Sequence, residues 1–210
     1  MTANEILQKA INEIGTYESP ANSNNVKYNT WFYGKPVKGS SYPWCAAFIS
    51  WLFKDTNLCK RSASCLDILN WFEKRGQLVK TPKPGDLIFF KYNTNNRRTN
   101  HIGIVERVEG KVIYTIEGNT SLTSNDNGGM VLRRKRVTNI VAYARPKYDT
   151  EKEEPVFVKP NKVMKDNTTI AKEVIAGKWG NGEDRKKRLT QAGYNYEDIR
   201  KLVNKLLKRW

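Results

Sequence analysis

The segment from Tyr42 to Phe53, YPWCAAFISWLF, is apolar on nearly every side once wound into a helix, with Ala46, Ala47, Phe48, Ile49, Trp51, Leu52 and Phe53 spread around its circumference. A helix without a polar face has to be covered all round, so this one belongs inside a layered domain. The flanking chain supplies the layers. Ile6, Leu7, Ala10, Ile11 and Ile14 recur at helical spacing in a first helix that starts with Thr2 or Asn4 as cap and stops at Gly15. A polar, Asn-rich loop from Glu18 to about Tyr42 follows, and a further helix is expected over Ser64–Arg75 with Leu66, Ile68, Leu69 and Phe72 inward. After Gly76 the texture changes to runs that read as short strands, Leu87–Phe90, His101–Val108, Lys111–Glu117, Met130–Arg136 and Ile140–Ala144, separated by Gly, Asn and charged turns. Helices first and strands after them predict an α+β domain with an antiparallel sheet.

That pattern ends near Lys147. Residues 148–167 are charged, contain two prolines and keep no period, so they read as a linker between a domain over 1–147 and a second over 168–210. The second domain reads as three short helices, Thr169–Gly177, Glu183–Gly193 and Tyr196–Lys208. A domain of that size is near the lower limit for a core without metal or disulfides. Trp179, Leu189, Tyr194, Tyr196, Ile199, Leu202, Val203 and Leu206 must supply that core.

The formal charge is +16 over 210 residues. Through Lys147 there are 22 basic and 11 acidic side chains, and beyond it 15 and 10, so no separate basic tail accounts for the total. Such a balance points to a polyanion: nucleic acid, an anionic membrane or a teichoic-acid-bearing wall. Cys45, Cys59 and Cys65 form no CxxC, and there is one histidine in the chain, which speaks against structural zinc and against a disulfide framework. The N-terminus lacks the uninterrupted apolar run of a signal peptide, and no run reaches membrane-span length.

The chemistry-bearing residues fall on this frame. The single histidine, His101, opens HIGIVERV, where strand alternation puts it on one face with Gly103 and Val105. In VIYTIEGN the same period places Ile113, Thr115, Glu117 and Asn119 together, so a carboxylate and an amide leave the strand end side by side. If the two strands pair, a group able to orient an imidazole lies beside His101. Cys45 is expected in the first turn of the buried helix, where free backbone N–H groups and the dipole favour a thiolate, and a neighbouring imidazolium favours it further. Cys59 and Cys65 read as packing thiols.

YPWCAAFISW, PKPGDLIFF, HIGIVE and TIEGNT, in that order, resemble the CHAP family of cysteine- and histidine-dependent amidohydrolases and peptidases, within the papain-like and NlpC/P60 group. The resemblance covers roughly residues 1–147. It implies a papain-like α+β fold that cleaves peptidoglycan amide bonds. It places the nucleophile on Cys45, the base on His101, the orienting acid on Glu117 and a further polar member on Asn119, with either Glu117 or Asn119 as the main orienter. Some relatives carry an aspartate-rich calcium loop before the cysteine. Here that stretch, ANSNNVKYNTWFYG, has no aspartate, so neither a metal nor another cofactor is expected.

The C-terminal segment is similar to the three-helix wall-binding repeat of certain phage lysozymes, which implies recognition of the sugar–peptide unit of peptidoglycan. Arg185 falls on that family's motif arginine, and its planar fork suits carboxylates. Trp179 and Tyr194 are candidates for stacking on sugar or peptide, or else core residues. Together the two resemblances imply a wall hydrolase of the phage endolysin type. It would be held in the host cytoplasm until released to the wall, with peptidoglycan and anionic wall polymers rather than nucleic acid or membrane as partners. The rival readings are a basic nucleic-acid-binding protein and a wall-binding protein without activity. Met164 reads either as an ordinary linker methionine or as an internal start yielding a free C-terminal domain that associates with the full-length chain.

Overall fold

The computed structural model describes residues 1–92, 98–149 and 165–207, and the chain divides into two compact units, Met1–Glu151 and Lys152–Trp210. In the first unit, α1 (Ala3–Asn12) is entered through a reciprocal capping box: the Thr2 hydroxyl accepts from the Glu5 N–H at 3.2 Å, and the Glu5 carboxylate accepts from the Thr2 N–H at 2.8 Å. Helices α2 (Lys27–Tyr33), α3 (Cys45–Leu52) and α4 (Cys65–Glu73) follow, the last capped by the Ser64 hydroxyl. Then come β1 (Leu78–Val79), β2 (Leu87–Phe90), β3 (His101–Glu109), β4 (Val112–Thr120), β5 (Met130–Arg136) and β6 (Ile140–Ala144). They form one six-stranded sheet in the order β1-β6-β2-β3-β4-β5, antiparallel throughout. This is the α+β, papain-like arrangement, a cysteine-bearing helix packed on a sheet that carries the histidine.

Strand alternation sends the two faces of the sheet into different clusters. Leu87, Phe89, Ile102, Ile104 and Ile116 join the helices, with Phe48, Ile49 and Leu52 of α3 fully buried among them. Ile88, Phe90, Val105 and Ile113 form a second apolar cluster with Tyr92 and Tyr143 against it. The all-round apolar character of α3 is thereby explained: every residue from Cys45 to Leu52 except Trp51 is buried.

Three departures from the sequence reading stand out. Part of the Asn-rich loop is helix α2, which has no side-chain cap at Val26. Tertiary contacts impose it: Tyr28 is fully buried against Trp44 and Phe48, and Asn29 Nδ2 donates to the carbonyls of Asn24 and Tyr42, each at 2.8 Å. The two-residue β1 carries too little pattern to be read from sequence. Finally, Tyr148, assigned to the linker, belongs with the first unit, because its hydroxyl donates to the Gly85 carbonyl at 2.7 Å and its ring stacks on Phe53. Residues 150–164 of the expected linker, including Met164, lie outside the described residues.

The second unit contains α5 (Asn167–Ile175), α6 (Gly182–Gln191) and α7 (Tyr196–Leu207). Asp166 caps α5 by accepting from the Thr168 and Thr169 N–H groups at 2.9 and 3.0 Å, so this helix begins two residues before the expected Thr169. Its core is Ile170, Ala171, Val174, Leu189, Tyr194, Ile199 and Val203. Among the described residues no helix is long and apolar enough to cross a membrane.

Candidate active site

Two glycines permit the close approaches on which the site is built. A Cβ on Gly118 would lie 2.8 Å from Phe48 Cβ and from Trp44, so its absence lets β4 close directly on the start of α3. A Cβ on Gly103 would lie 2.6 Å from Glu117 Cγ, so β3 is bare where the Glu117 side chain crosses it toward His101. Trp44 is pinned as the residue before α3 by its indole N–H, which donates to Glu18 Oε1 at 2.7 Å. Cys45 is then the first residue of the helix, as expected, and it is buried.

His101 pairs with Phe90 in the β2–β3 register and is fully buried against the rings of Phe90 and Tyr92, which stack on each other. Its Nε2 lies 2.8 Å from Glu117 Oε2. That contact leaves Nδ1 for the thiol. Nδ1 makes no fully formed hydrogen bond, yet imidazole and thiol are close enough to shift each other's ionisation. Glu117, also fully buried, is held from its other side: Arg136 Nε donates to Oε1 at 2.8 Å, Arg136 Nη2 donates to Oε2, and the Thr115 hydroxyl donates to Oε1. The Arg136 fork lies against the rings of Phe90 and Tyr92, and its Nη1 donates to Asn125 Oδ1 at 2.6 Å, which ties the β4–β5 loop to it.

Of the two candidate orienters, then, Glu117 contacts the imidazole. Asn119 is buried, and among the described residues neither its amide nitrogen nor its amide oxygen is hydrogen-bonded to His101 or to another group. Its backbone is in the left-handed region at φ 57°, where β4 breaks register with β5 between Glu117 and Thr120, and the Gly128 N–H closes on its carbonyl at 2.9 Å.

Cys65 corrects the sequence reading. Its Sγ lies 3.5 Å from Cys45 Sγ, because α3 and α4 bring their first residues together. A hydrogen bond from Cys65 is the leading influence that takes the Cys45 thiol well below its ordinary range. Burial opposes the shift, and His101 and the Ala46 N–H reinforce it. Burial alone would lower His101, but its hydrogen bonds and charge interactions with Cys45 and Glu117 outweigh that and raise it to about 9. Burial alone would raise Glu117, and the opposing hydrogen bonds from Arg136 and His101 bring it to about 2. Each shift favours the charged form, so thiolate, imidazolium, carboxylate and guanidinium alternate along the site.

In the second unit the expected ligand residues divide. Tyr194 is 9% exposed and packs edge-on against Trp179 at 5.8 Å, so it is a core residue rather than a stacking platform. Trp179 is half-buried, and its indole N–H donates to Glu173 Oε2 at 3.0 Å. Arg185 is half-buried, with Nε donating to the Gly180 carbonyl at 2.8 Å and Nη2 donating to Asn181 Oδ1 at 2.7 Å. It braces the turn before α6 at the surface.

Comparison with known proteins matches residues 37–119 to the CHAP domain and residues 168–207 to the CW_7 repeat. The chain joins a CHAP domain to a CW_7 repeat. Among curated proteins, the lysozyme of Streptococcus phage Cp-7 is 41% identical over 58 residues, which are 28% of this chain and 16% of that lysozyme. Among solved structures, Ly7917 superposes with a TM-score of 0.45 at 16% identity, over 70% of this chain and 62% of its own. Ly7917 with the hydrolysing product of MDP gives 0.44 at 17%, over 69% and 63%. The chain thus spans less than two thirds of each of these proteins. The CHAP match contains Cys45, Cys65, His101, Glu117 and Asn119 and stops short of Arg136. Sequence reasoning passed over Arg136 because Arg133, Arg134, Lys135 and Arg136 are consecutive. A buried carboxylate demands a cation, but only the strand register selects which one.

Proposed function

We propose that this chain is a peptidoglycan hydrolase of the endolysin type, with a cysteine nucleophile in the CHAP domain and a wall-binding role for the CW_7 repeat. The observation that carries the reading is the buried relay in which Cys45 stands at a helix N-terminus beside His101, whose far nitrogen is held by Glu117 at 2.8 Å. A thiolate is the attacking species in such chemistry, and this setting supplies it without an external base. Cys45 Sγ attacks the amide carbonyl carbon, and the His101 imidazolium gives its Nδ1 proton to the departing amine. Water, with the now neutral His101 as base, then releases the acyl group from sulfur. The Cys45 backbone N–H is one donor to the oxyanion. Glu117, itself anchored by Arg136, keeps the imidazole in the tautomer and orientation that face the sulfur.

The scissile bond is an amide of the wall, either the muramoyl–alanine bond or a peptide bond of the stem or cross-bridge. The net charge of +16 supports attraction to anionic wall polymers. In this reading the chain is made in the host cytoplasm before it reaches the wall, which fractionation of infected cells before lysis would check. Digestion of defined walls followed by mass spectrometry of the new ends tests the whole reading. New muramic acid lactyl carboxyls paired with alanine amines identify an amidase, and new peptide termini an endopeptidase. Intact walls after prolonged incubation overturn the hydrolase reading.

A further inference from the structure

Cys65 has no place in the hydrolytic steps, yet its sulfur lies 3.5 Å from that of Cys45 and both thiols are buried. We propose that Cys65 is a resolving thiol, and that Cys45 and Cys65 form a reversible disulfide through which peroxide-class oxidants switch the nucleophile off. The proposal rests on the reading of Cys45 as the nucleophile. Two sulfurs already touching need to approach by only about 1.5 Å to reach bonding distance, a change that side-chain rotation supplies. The two residues are 20 apart in sequence, and each is the first residue of its helix, so the sulfurs meet where helix-terminal N–H groups are free. Cys59, the third thiol, is engaged elsewhere, with the Lys60 carbonyl at 3.6 Å.

The steps balance. The Cys45 thiolate attacks one oxygen of hydrogen peroxide, an S–O bond forms, the O–O bond breaks, and hydroxide leaves to be protonated to water. The sulfur is oxidised to a sulfenic acid and the peroxide is reduced. Cys65 sulfur then attacks Cys45 sulfur, the S–S bond forms and the S–O bond breaks. The departing hydroxide takes the Cys65 proton and leaves as water. In the reduced protein Cys65 carries that proton, since its hydrogen bond to Cys45 and burial hold its own pKa well above the ordinary thiol value. The sum is two thiols and one peroxide giving one disulfide and two waters. Capture by Cys65 also keeps Cys45 off the irreversible sulfinic and sulfonic rungs. A dithiol reductant reverses the bond by exchange.

The test treats the reduced full-length protein with excess hydrogen peroxide and reads intact mass, a peptide map and wall lysis. The expected wild-type result is a protein lighter by two hydrogens with Cys45 and Cys65 peptides joined. Lysis falls by at least about tenfold and returns on dithiothreitol treatment. Cys59→Ser should respond in the same way. Cys65→Ser should instead gain two or three oxygens on Cys45, as sulfinic or sulfonic acid, and not recover with dithiothreitol. Should Cys65→Ser not fold, the wild-type map decides alone. Sulfinic or sulfonic Cys45 without a cross-link in the wild type, or a cross-link through Cys59, overturns the proposal. A Cys45–Cys65 link in a protein whose reduced form never lyses walls supports the disulfide site and overturns the hydrolase reading instead.

Discussion

The two units solve opposite problems with the same residue types. The CHAP unit buries four ionisable groups in contact, Cys45, His101, Glu117 and Arg136, and leaves both polar atoms of Asn119 unsatisfied as well. The CW_7 unit commits its buried tyrosine to a small core, and its ion pairs, such as Arg188–Asp184 at 2.8 Å, lie at the surface. Size is the physical reason. Burial grows faster than surface with chain length, so the larger unit can hold a desolvated charge network, whereas the smaller one needs nearly every apolar side chain for stability. In the proposed function, catalysis is thus an interior property of one unit, and binding in the other comes from groups at its surface.

That contrast can be broken most directly at Cys45. Cys45→Ala should reduce wall lysis by about a thousandfold or more while wall retention is unchanged, because in the proposed mechanism the thiolate serves chemistry alone. Turbidity clearing and a wall pull-down on the same preparation check it, and full lysis by the variant would remove Cys45 from the mechanism. Next in size, Glu117→Gln should lower turnover by about a hundredfold or more, since a neutral amide neither stabilises the imidazolium nor answers the Arg136 charge. It should also lower the melting temperature of the CHAP unit, because losing one partner of a buried ion pair costs about 3–5 kcal/mol. Asn119→Ala should cost far less activity. The reverse ranking in steady-state kinetics would make the amide the orienter.

The pH dependence sharpens the comparison further. His101 is raised to about 9 in the folded protein, above its unfolded value, so its stabilising interactions are complete below the unfolded pKa and fade as pH rises through about 9. Glu117 is depressed to about 2, so its contribution is complete above the unfolded carboxylate range and is lost as pH falls through about 2. Turnover should therefore drop about tenfold per pH unit on the alkaline side of about 9, as the proton for the leaving amine disappears. A pH–rate profile with its alkaline limb near 7 would contradict a thiolate–imidazolium pair.

The smallest effects belong to the CW_7 unit. Tyr194→Ala should unfold it locally, with a loss of about 3 kcal/mol and of wall retention together, while Arg185→Ala should weaken retention only a few-fold with helicity intact. Circular dichroism of the variants beside wall pull-downs distinguishes the two. Retention that survives Tyr194→Ala at full strength would mean that the CW_7 unit does not hold the wall.

Several elements were legible because their signals are local. Thr2 and Glu5 write the start of α1, Ser64 that of α4, and the short runs after Gly76 announce five of the six described strands. Cys45 at a helix start and His101 at a strand start could be placed for the same reason. Helix α2 could not, since its sequence KYNTWFY carries no cap and is held by Tyr28 and Asn29 reaching distant partners. Nor could the choice between Glu117 and Asn119, two residues apart on one strand and equally able to hydrogen-bond an imidazole.

By itself, then, the sequence determined the order of elements, the residue types available for thiol–imidazole chemistry and the break into two units, because periodicity, caps and composition act over a few residues. Only the tertiary structure decided that Glu117 rather than Asn119 meets His101, that Arg136 among four consecutive basic residues anchors it, and that Cys65 touches Cys45. Those choices depend on strand register and on where two helix ends converge. A shift of one residue turns a side chain to the opposite face of the sheet, and no local signal records it.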